Sequence, residues 1–150
     1  MTGKQQLAII KYCAQKVLGF DARIVNGSVE YHNPEDDEGF ETWTDFDPIG
    51  NEDDCVKVLN ALLKVGHRYR LEGYPTDRRE YITFFQVVSV TDGKVYRIAR
   101  MLSDKFTRQV GSAFDIARRS VILDCSICVA LGWTQISLET WFDQGCPDIE

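Results

Sequence analysis

The chain has 150 residues, 44% of them hydrophobic, and a formal net charge of −6. This size and composition suffice to bury a core without disulfide staples, so we expect one domain over residues 1–132 and a C-terminal tail over residues 133–150. The acidic charge argues against stable DNA binding, because its field repels phosphates. No signal segment and no apolar run of bilayer length are evident, which predicts a soluble cytoplasmic protein.

The first half of the chain reads as helix, hairpin, helix. Residues 4–18 have apolar side chains at helical spacing and precede Gly19, which predicts an amphipathic helix. Residues 22–32 form two short alternating runs around Asn26-Gly27, the pair typical of a type I′ hairpin turn. A second helix is expected to begin with acidic residues in its first turn and to end at Gly66; those acidic residues are Glu52, Asp53 and Asp54.

The second half reads as three strands and a long helix. Between residues 67 and 101 the apolar pattern alternates, and turn residues divide it into a three-stranded meander. Residues 112–132 are expected to form the helix, with Ser112 as its N-cap and Gly132 as its end. Its buried stripe is predicted to contain these residues: Ala113, Ile116, Ala117, Ser120, Val121, Cys125, Ile127, Cys128 and Leu131.

This order of elements predicts an α+β fold. An antiparallel sheet of about five strands with one bare face would expose its aromatic residues, so we expect helices on both faces or on one face plus a partner. The predicted architecture is a three-layer α/β/α-type sandwich with three helices. The tail is expected to be polar and anchored by Leu138, Trp141 and Phe142.

Five cysteines, an odd number, favour reduced thiols. The pair Cys125 and Cys128 has redox or zinc spacing, but it lies in the middle of an apolar helix rather than at an exposed N-terminus. We therefore predict a packed core for this pair and no metal or cofactor. The two histidines, His32 and His67, lie in strand patterns, and no nucleophile or phosphate-loop motif accompanies them. A non-enzymatic protein is the expectation.

The entry to the second helix has a Trp-to-Pro-to-acidic pattern that leads into leucines at helical spacing, formed by Trp43, Pro48, Asp53, Asp54, Leu59 and Leu62. The last helix contains a second short motif, formed by Ile116, Ala117, Arg118, Arg119, Val121 and Ile122. These two segments resemble motifs of the phage ABA-sandwich domain family of small phage and prophage proteins. The resemblance implies a three-layer fold and a phage accessory role in the cytoplasm of an infected bacterium. The chain is also similar, more distantly, to phage proteins that inhibit Thoeris defence by sequestering its cyclic nucleotide signal.

Charge is segregated along the chain, and this suggests two candidate binding sites. Residues 30–54 hold eleven acidic residues and no lysine or arginine, whereas residues 55–119 hold thirteen basic and six acidic residues. An acidic surface can occupy a basic protein groove, and its candidate residues are Glu35, Asp36, Asp37, Glu38, Glu52, Asp53 and Asp54. Arginine forks grip phosphates and aromatic rings stack on bases; the candidates for a nucleotide site are Arg97, Arg100, Arg108, Arg118, Arg119 and Tyr96.

Each site has a plainer alternative. The acidic segment is also what a solvated loop looks like, and the arginines could balance acidic residues within the fold or across a homo-oligomer. The leading hypothesis is a phage protein that inhibits a bacterial immune system by binding. Its target is either a protein effector, as for an anti-CRISPR protein, or a nucleotide messenger. The alternative is a structural or regulatory phage accessory protein that mainly oligomerises.

Overall fold

A computed structural model describes residues 2–33, 42–75, 80–103 and 111–149. The acidic candidates Glu35, Asp36, Asp37 and Glu38 and the arginine Arg108 lie outside the described residues. The described part is α+β, with four α-helices and two antiparallel three-stranded sheets. The predicted class is therefore confirmed at this level. A single sheet of about five strands inside a three-layer sandwich is not confirmed.

The first two helices begin at side-chain caps. Helix α1 spans Gly3–Tyr12 and continues as a π-helical turn over Cys13–Val17. Thr2 and Gln5 cap it reciprocally, each side chain accepting the other's backbone N–H, at 3.2 and 2.8 Å. Helix α2 spans Glu52–Val65, capped by Asn51, and ends at Gly66 with φ of 95°. The predicted acidic first turn and glycine stop of α2 are confirmed.

The first sheet is built from the predicted hairpin. Strands β1 (Asp21–Val25) and β2 (Ser28–His32) flank Asn26 and Gly27, which have φ of 51° and 75°. A type I′ turn needs both angles to be positive. The third strand, β3 (Thr44–Asp45), pairs with β2. Two residues are too short for a period of two to be read from sequence, so this strand was not predicted.

The second sheet is the predicted meander. Strands β4 (Arg68–Pro75), β5 (Glu80–Val88) and β6 (Val95–Ser103) pair in the order β4-β5-β6. The hairpin pairs with β3 and not with this meander, and that is why the strands divide into two sheets instead of one. Alternation along a strand shows which face is buried but does not name the neighbouring strand.

Helix α3 (Gly111–Leu131) lies at the centre of the fold. It packs on β5 and β6, whose side facing α3 we call the inner face, and it also contacts α1 and α2. All residues from Val121 to Cys128 are buried, including Asp124 and Ser126. Two details of the predicted helix are wrong: it begins at Gly111, so Ser112 is inside it rather than its cap, and Ile116 is 46% exposed.

The C-terminal residues add a fourth helix to the core, so the predicted number of three helices is wrong. Helix α4 spans Gln135–Asp143 and is capped by Thr134. Leu138 and Trp141 are buried and Phe142 packs against the core, so the predicted anchors are confirmed. Within the described ranges, no single helix is long and apolar enough to cross a membrane. The bent pair Asp115–Leu131 and Gln135–Asp143 meets the length and composition test only across a 99° bend.

Candidate functional site

Arg118 and Arg119 of α3 meet Glu52 at the start of α2. Nη1 and Nη2 of Arg118 donate to Oε1 and Oε2 of Glu52 at 3.2 and 2.7 Å. Nη1 of Arg119 donates to Oε2 of Glu52 at 3.0 Å, and its Nε donates to the carbonyl of Ile49 at 2.5 Å. Two guanidinium groups thus hold one carboxylate in the fork geometry that also suits phosphate. We call these three side chains the Glu52 junction.

The Glu52 junction is a surface ion-pair cluster that ties two helices together. Hydrogen bonds from Arg118 and Arg119 lower the pKa of Glu52, and the hydrogen bond to Glu52 raises the pKa of Arg118. The Glu52 side chain is 50% exposed, so solvent and salt screen the cluster. At this junction the arginines balance an acidic residue within the fold, which is one of the alternatives that the sequence left open.

The other described arginines do not converge on the Glu52 junction. Arg97 and Arg100 are three residues apart on β6, so their side chains leave opposite faces of the sheet. The guanidinium of Arg97 lies 4.0 Å from the centroid of the Phe84 ring, on the face away from α3. Nη2 of Arg100 donates to Oδ2 of Asp124 at 2.7 Å on the inner face. Among the described candidate arginines, the structure brings together only the two of α3.

Tyr96, the predicted stacking residue, is buried. It is 7% exposed, and its hydroxyl donates to Oδ2 of Asp92 at 2.7 Å. That hydrogen bond raises the pKa of Tyr96 and lowers the pKa of Asp92. Its ring therefore packs in the core in this conformation and is not available to stack on a base.

Of the described acidic candidates, only Asp53 is exposed and unpaired within the described ranges. Glu52 belongs to the junction above. Asp54 is 7% exposed, accepts the Asp47 N–H at 2.9 Å and pairs with Nζ of Lys57 at 3.0 Å. Its carboxylate therefore fixes the entry to α2 and is largely buried.

An acidic cleft of about 460 Å³ opens beside the hairpin turn. Asp45 and Asp47 line it together with Leu7 and Ile10 of α1. Oδ1 of Asp47 accepts the N–H of Gly50 at 2.9 Å, but neither carboxylate has a basic partner in the described part of the chain. A lysine or arginine side chain fits this chemistry, with its stem on the apolar wall and its charge at the carboxylates. These two residues belong to the acidic segment 30–54 but were not singled out from sequence.

A second cleft, of about 950 Å³, is basic. Lys57 and Lys64 line it from one side of α2, opposite the stacked rings of Phe20 and Tyr31, whose centroids are 5.0 Å apart. Nζ of Lys57 donates to the Tyr31 hydroxyl at 3.2 Å, whereas Lys64 has no ion pair within the described ranges. Sequence reasoning missed this cleft, because its lysines and its aromatic rings are 26 or more residues apart.

The five cysteines are unpaired, and the thiols of α3 belong to the core. Cys125 and Cys128 are 0% and 1% exposed, which confirms the predicted packed pair. Burial raises the pKa of Cys128 to about 12 and raises the pKa of Cys125 further. Both are therefore neutral thiols at physiological pH, unsuited to nucleophilic or redox chemistry.

Comparison of the chain with protein-family models, with curated proteins and with solved structures gives no match.

Proposed function

We propose that this protein is a non-enzymatic inhibitor, encoded by a phage or prophage, that binds a basic surface of a bacterial defence protein through its acidic segment. The resemblance to the phage ABA-sandwich family, with the three-layer arrangement that it implies, is part of this proposal. One observation carries the choice of target. Asp45, Asp47 and Asp53 have no basic partner among the described residues, whereas the described nucleotide-binding candidates Arg97, Arg100, Arg118 and Arg119 have partners in the fold.

The acidic cleft supplies the recognition chemistry of this proposal. Asp45 and Asp47 meet an inserted cation, and the apolar wall of the cleft covers its aliphatic stem. Glu35, Asp36, Asp37 and Glu38 belong to the same acidic segment and add to the local field. Charge complementarity of this kind accelerates association and selects basic partners.

The experiment is a plating assay on bacteria that carry defined defence systems, with and without the protein. We expect it to restore phage plating against one of them. The triple substitution Asp45→Asn, Asp47→Asn, Asp53→Asn should abolish that restoration, and so should amides at the four positions 35–38. Asp143→Asn, an exposed carboxylate on α4, is the control and should leave it unchanged. Full inhibition by both acidic-segment variants would contradict the proposal.

A nucleotide messenger is the second candidate target, and the basic cleft favours it. Two lysines face stacked aromatic rings there; the lysines suit phosphate groups and the rings suit stacking with a nucleotide base. The arginines of the Glu52 junction offer a second phosphate grip if Glu52 is displaced. Phosphate-containing signalling nucleotides should then raise the melting temperature. Lys64→Gln should remove the shift if the basic cleft is the site, and Arg118→Gln should remove it if the junction is. No shift with any nucleotide would eliminate this candidate.

A structural or regulatory accessory role remains the alternative from a different class. It predicts that the chain assembles without affecting any defence system, so that plating stays unchanged in the same assay.

A further inference from the structure

Strand β4 is an edge strand of the second sheet. It pairs with β5 over eight consecutive residue pairs, Arg68↔Val88 to Pro75↔Tyr81, with no bulge in this register. Among the described residues no strand pairs with its other side. Unpaired backbone N–H and C=O groups on a long, regular edge are a template for another strand. Bulges and central prolines protect such edges, and β4 has neither, since Pro75 is its last residue.

The side chains of β4 are complementary to those of a second β4 that runs in the opposite direction. We propose that β4 pairs antiparallel with β4 of a second copy of this chain, so that the two Leu71 residues lie opposite each other across the twofold axis. Only this register places Arg70 opposite Glu72 of the other copy, and the symmetry produces that pair twice. It also places Arg68 opposite Tyr74, where a guanidinium can lie on a ring. All four positions on the face away from α3 thus meet a favourable cross-strand partner.

The inner face of β4 gives independent support. Helix α3 covers β5 and β6, and Tyr69 and Leu71 on β4 are left 40% and 37% exposed. In the proposed register Leu71 packs against Leu71 of the second copy. Tyr69 comes opposite Gly73, whose open side is filled by the Tyr81 ring, since a Cβ there would lie 2.5 Å from its hydroxyl oxygen. Apolar and aromatic surface therefore meets apolar and aromatic surface.

The complementarity favours a second copy over an unrelated strand. In the chain itself Arg70 pairs with Glu72 two residues along the same face, with side chains 68% and 32% exposed. A strand that reads Arg-x-Arg-x-Glu-x-Tyr is matched at every outer position by its own reverse, as a twofold interface requires. In the proposed dimer the second sheet of one copy joins the second sheet of the other, which gives one continuous six-stranded sheet. It does not depend on the proposed function, which uses the acidic segment and not β4.

The first test measures mass in solution by light scattering over a wide range of concentration. We expect the wild type to approach twice the 17.1 kDa of one chain. Arg70→Glu and Glu72→Arg each put like charges opposite one another and should return the mass to that of one chain. The double variant Arg70→Glu, Glu72→Arg restores opposite charges and should restore the dimer. Arg23→Glu, which breaks the exposed pair with Glu30 on the first sheet, is the matched control and should stay dimeric.

The second test uses disulfide cross-linking to determine which β4 residues lie opposite each other. Leu71→Cys, in a Cys146→Ser background, brings two thiols together across the axis, where directly opposed Cα atoms of antiparallel strands are about 4.5–5.5 Å apart and a disulfide fits. Oxidation should produce a covalent dimer on a non-reducing gel. Tyr69→Cys lies on the same face with similar exposure but comes opposite Gly73, so on the same gel it should run at the mass of one chain. A monomeric wild type, a dimer that survives both single charge reversals, or equal cross-linking of the two cysteine variants would overturn the proposal.

Discussion

Arg100 and Asp124 form an ion pair at 2.7 Å between a partly exposed strand residue and a fully buried helix residue. Oδ1 of Asp124 has no hydrogen-bond partner among the described residues. Burial raises the pKa of Asp124 to about 6, although the charge and hydrogen bond of Arg100 act in the opposite direction. Desolvation therefore outweighs the pairing, and the carboxylate is tolerated in the core only because the guanidinium reaches it.

Replacing Arg100 by methionine should destabilise the fold. It leaves a buried carboxyl without its partner, and we expect a loss of about 3 kcal/mol at pH 7, at the low end for a broken buried pair because the carboxyl can take up a proton. Urea unfolding measures this loss. Arg97→Met on the same strand is the control: it removes a cation–π contact of about 0.5–1 kcal/mol. Equal losses in the two variants would show that the Asp124 pair is not significant for stability.

The free energy of unfolding should decrease with rising pH because Asp124 ionises. Its folded pKa of about 6 lies above the unfolded value of about 4. The stability from this group is therefore fully present below pH 4 and is lost as the pH rises through 6, on the order of 3 kcal/mol in total. Asp124→Asn removes this dependence, so the wild type should lose stability relative to the variant between pH 4 and pH 8. A constant difference across that range would contradict the raised pKa.

The Glu52 junction should be asymmetric in energy. Arg119 is 12% exposed and also donates to the Ile49 carbonyl, whereas Arg118 is 21% exposed and holds mainly the half-exposed Glu52. We expect Arg119→Gln to cost about 2 kcal/mol and Arg118→Gln about 1 kcal/mol at most. Added salt should reduce the smaller loss but not the larger one. The reverse order in urea unfolding would contradict this reading of the contacts.

Sequence predicted the local elements well because their signals are local. Asn26-Gly27, the acidic first turn of α2 and Gly66 each act within a few residues, and each is found as predicted. Partners distant in the chain were not predicted. The pairing of β2 with β3, the burial of Asp124 beneath Arg100 and the engagement of Arg118 by Glu52 join residues 13 to 66 positions apart. A helical period placed Ile116 in the core for the same reason, since it shows amphipathicity but not which side a neighbour covers.

Thiol labelling should distinguish Cys146 from the other cysteines. Cys13, Cys55, Cys125 and Cys128 are buried, whereas Cys146 is partly exposed. Burial raises the pKa of Cys13 to about 12 and of Cys55 to about 11, so few thiolates are available there. An Ellman assay should therefore count one reactive thiol in the native protein and five in denaturant. Cys146→Ser should remove the native signal, and rapid labelling of that variant would show that the core opens.

Trp141 should be the residue through which α4 stabilises the whole fold. It is 5% exposed, its Nε1 donates to the Pro147 carbonyl at 2.9 Å, and its ring meets the Tyr12 ring edge-on at 5.8 Å. Trp141→Ala leaves a large cavity between α4 and α1, and we expect a loss of about 3–5 kcal/mol in urea unfolding. Ile136→Ala, on the same helix but 75% exposed, is the matched control and should change stability by less than about 0.5 kcal/mol. If both variants unfold at the same urea concentration as the wild type, α4 is not docked on the core in solution.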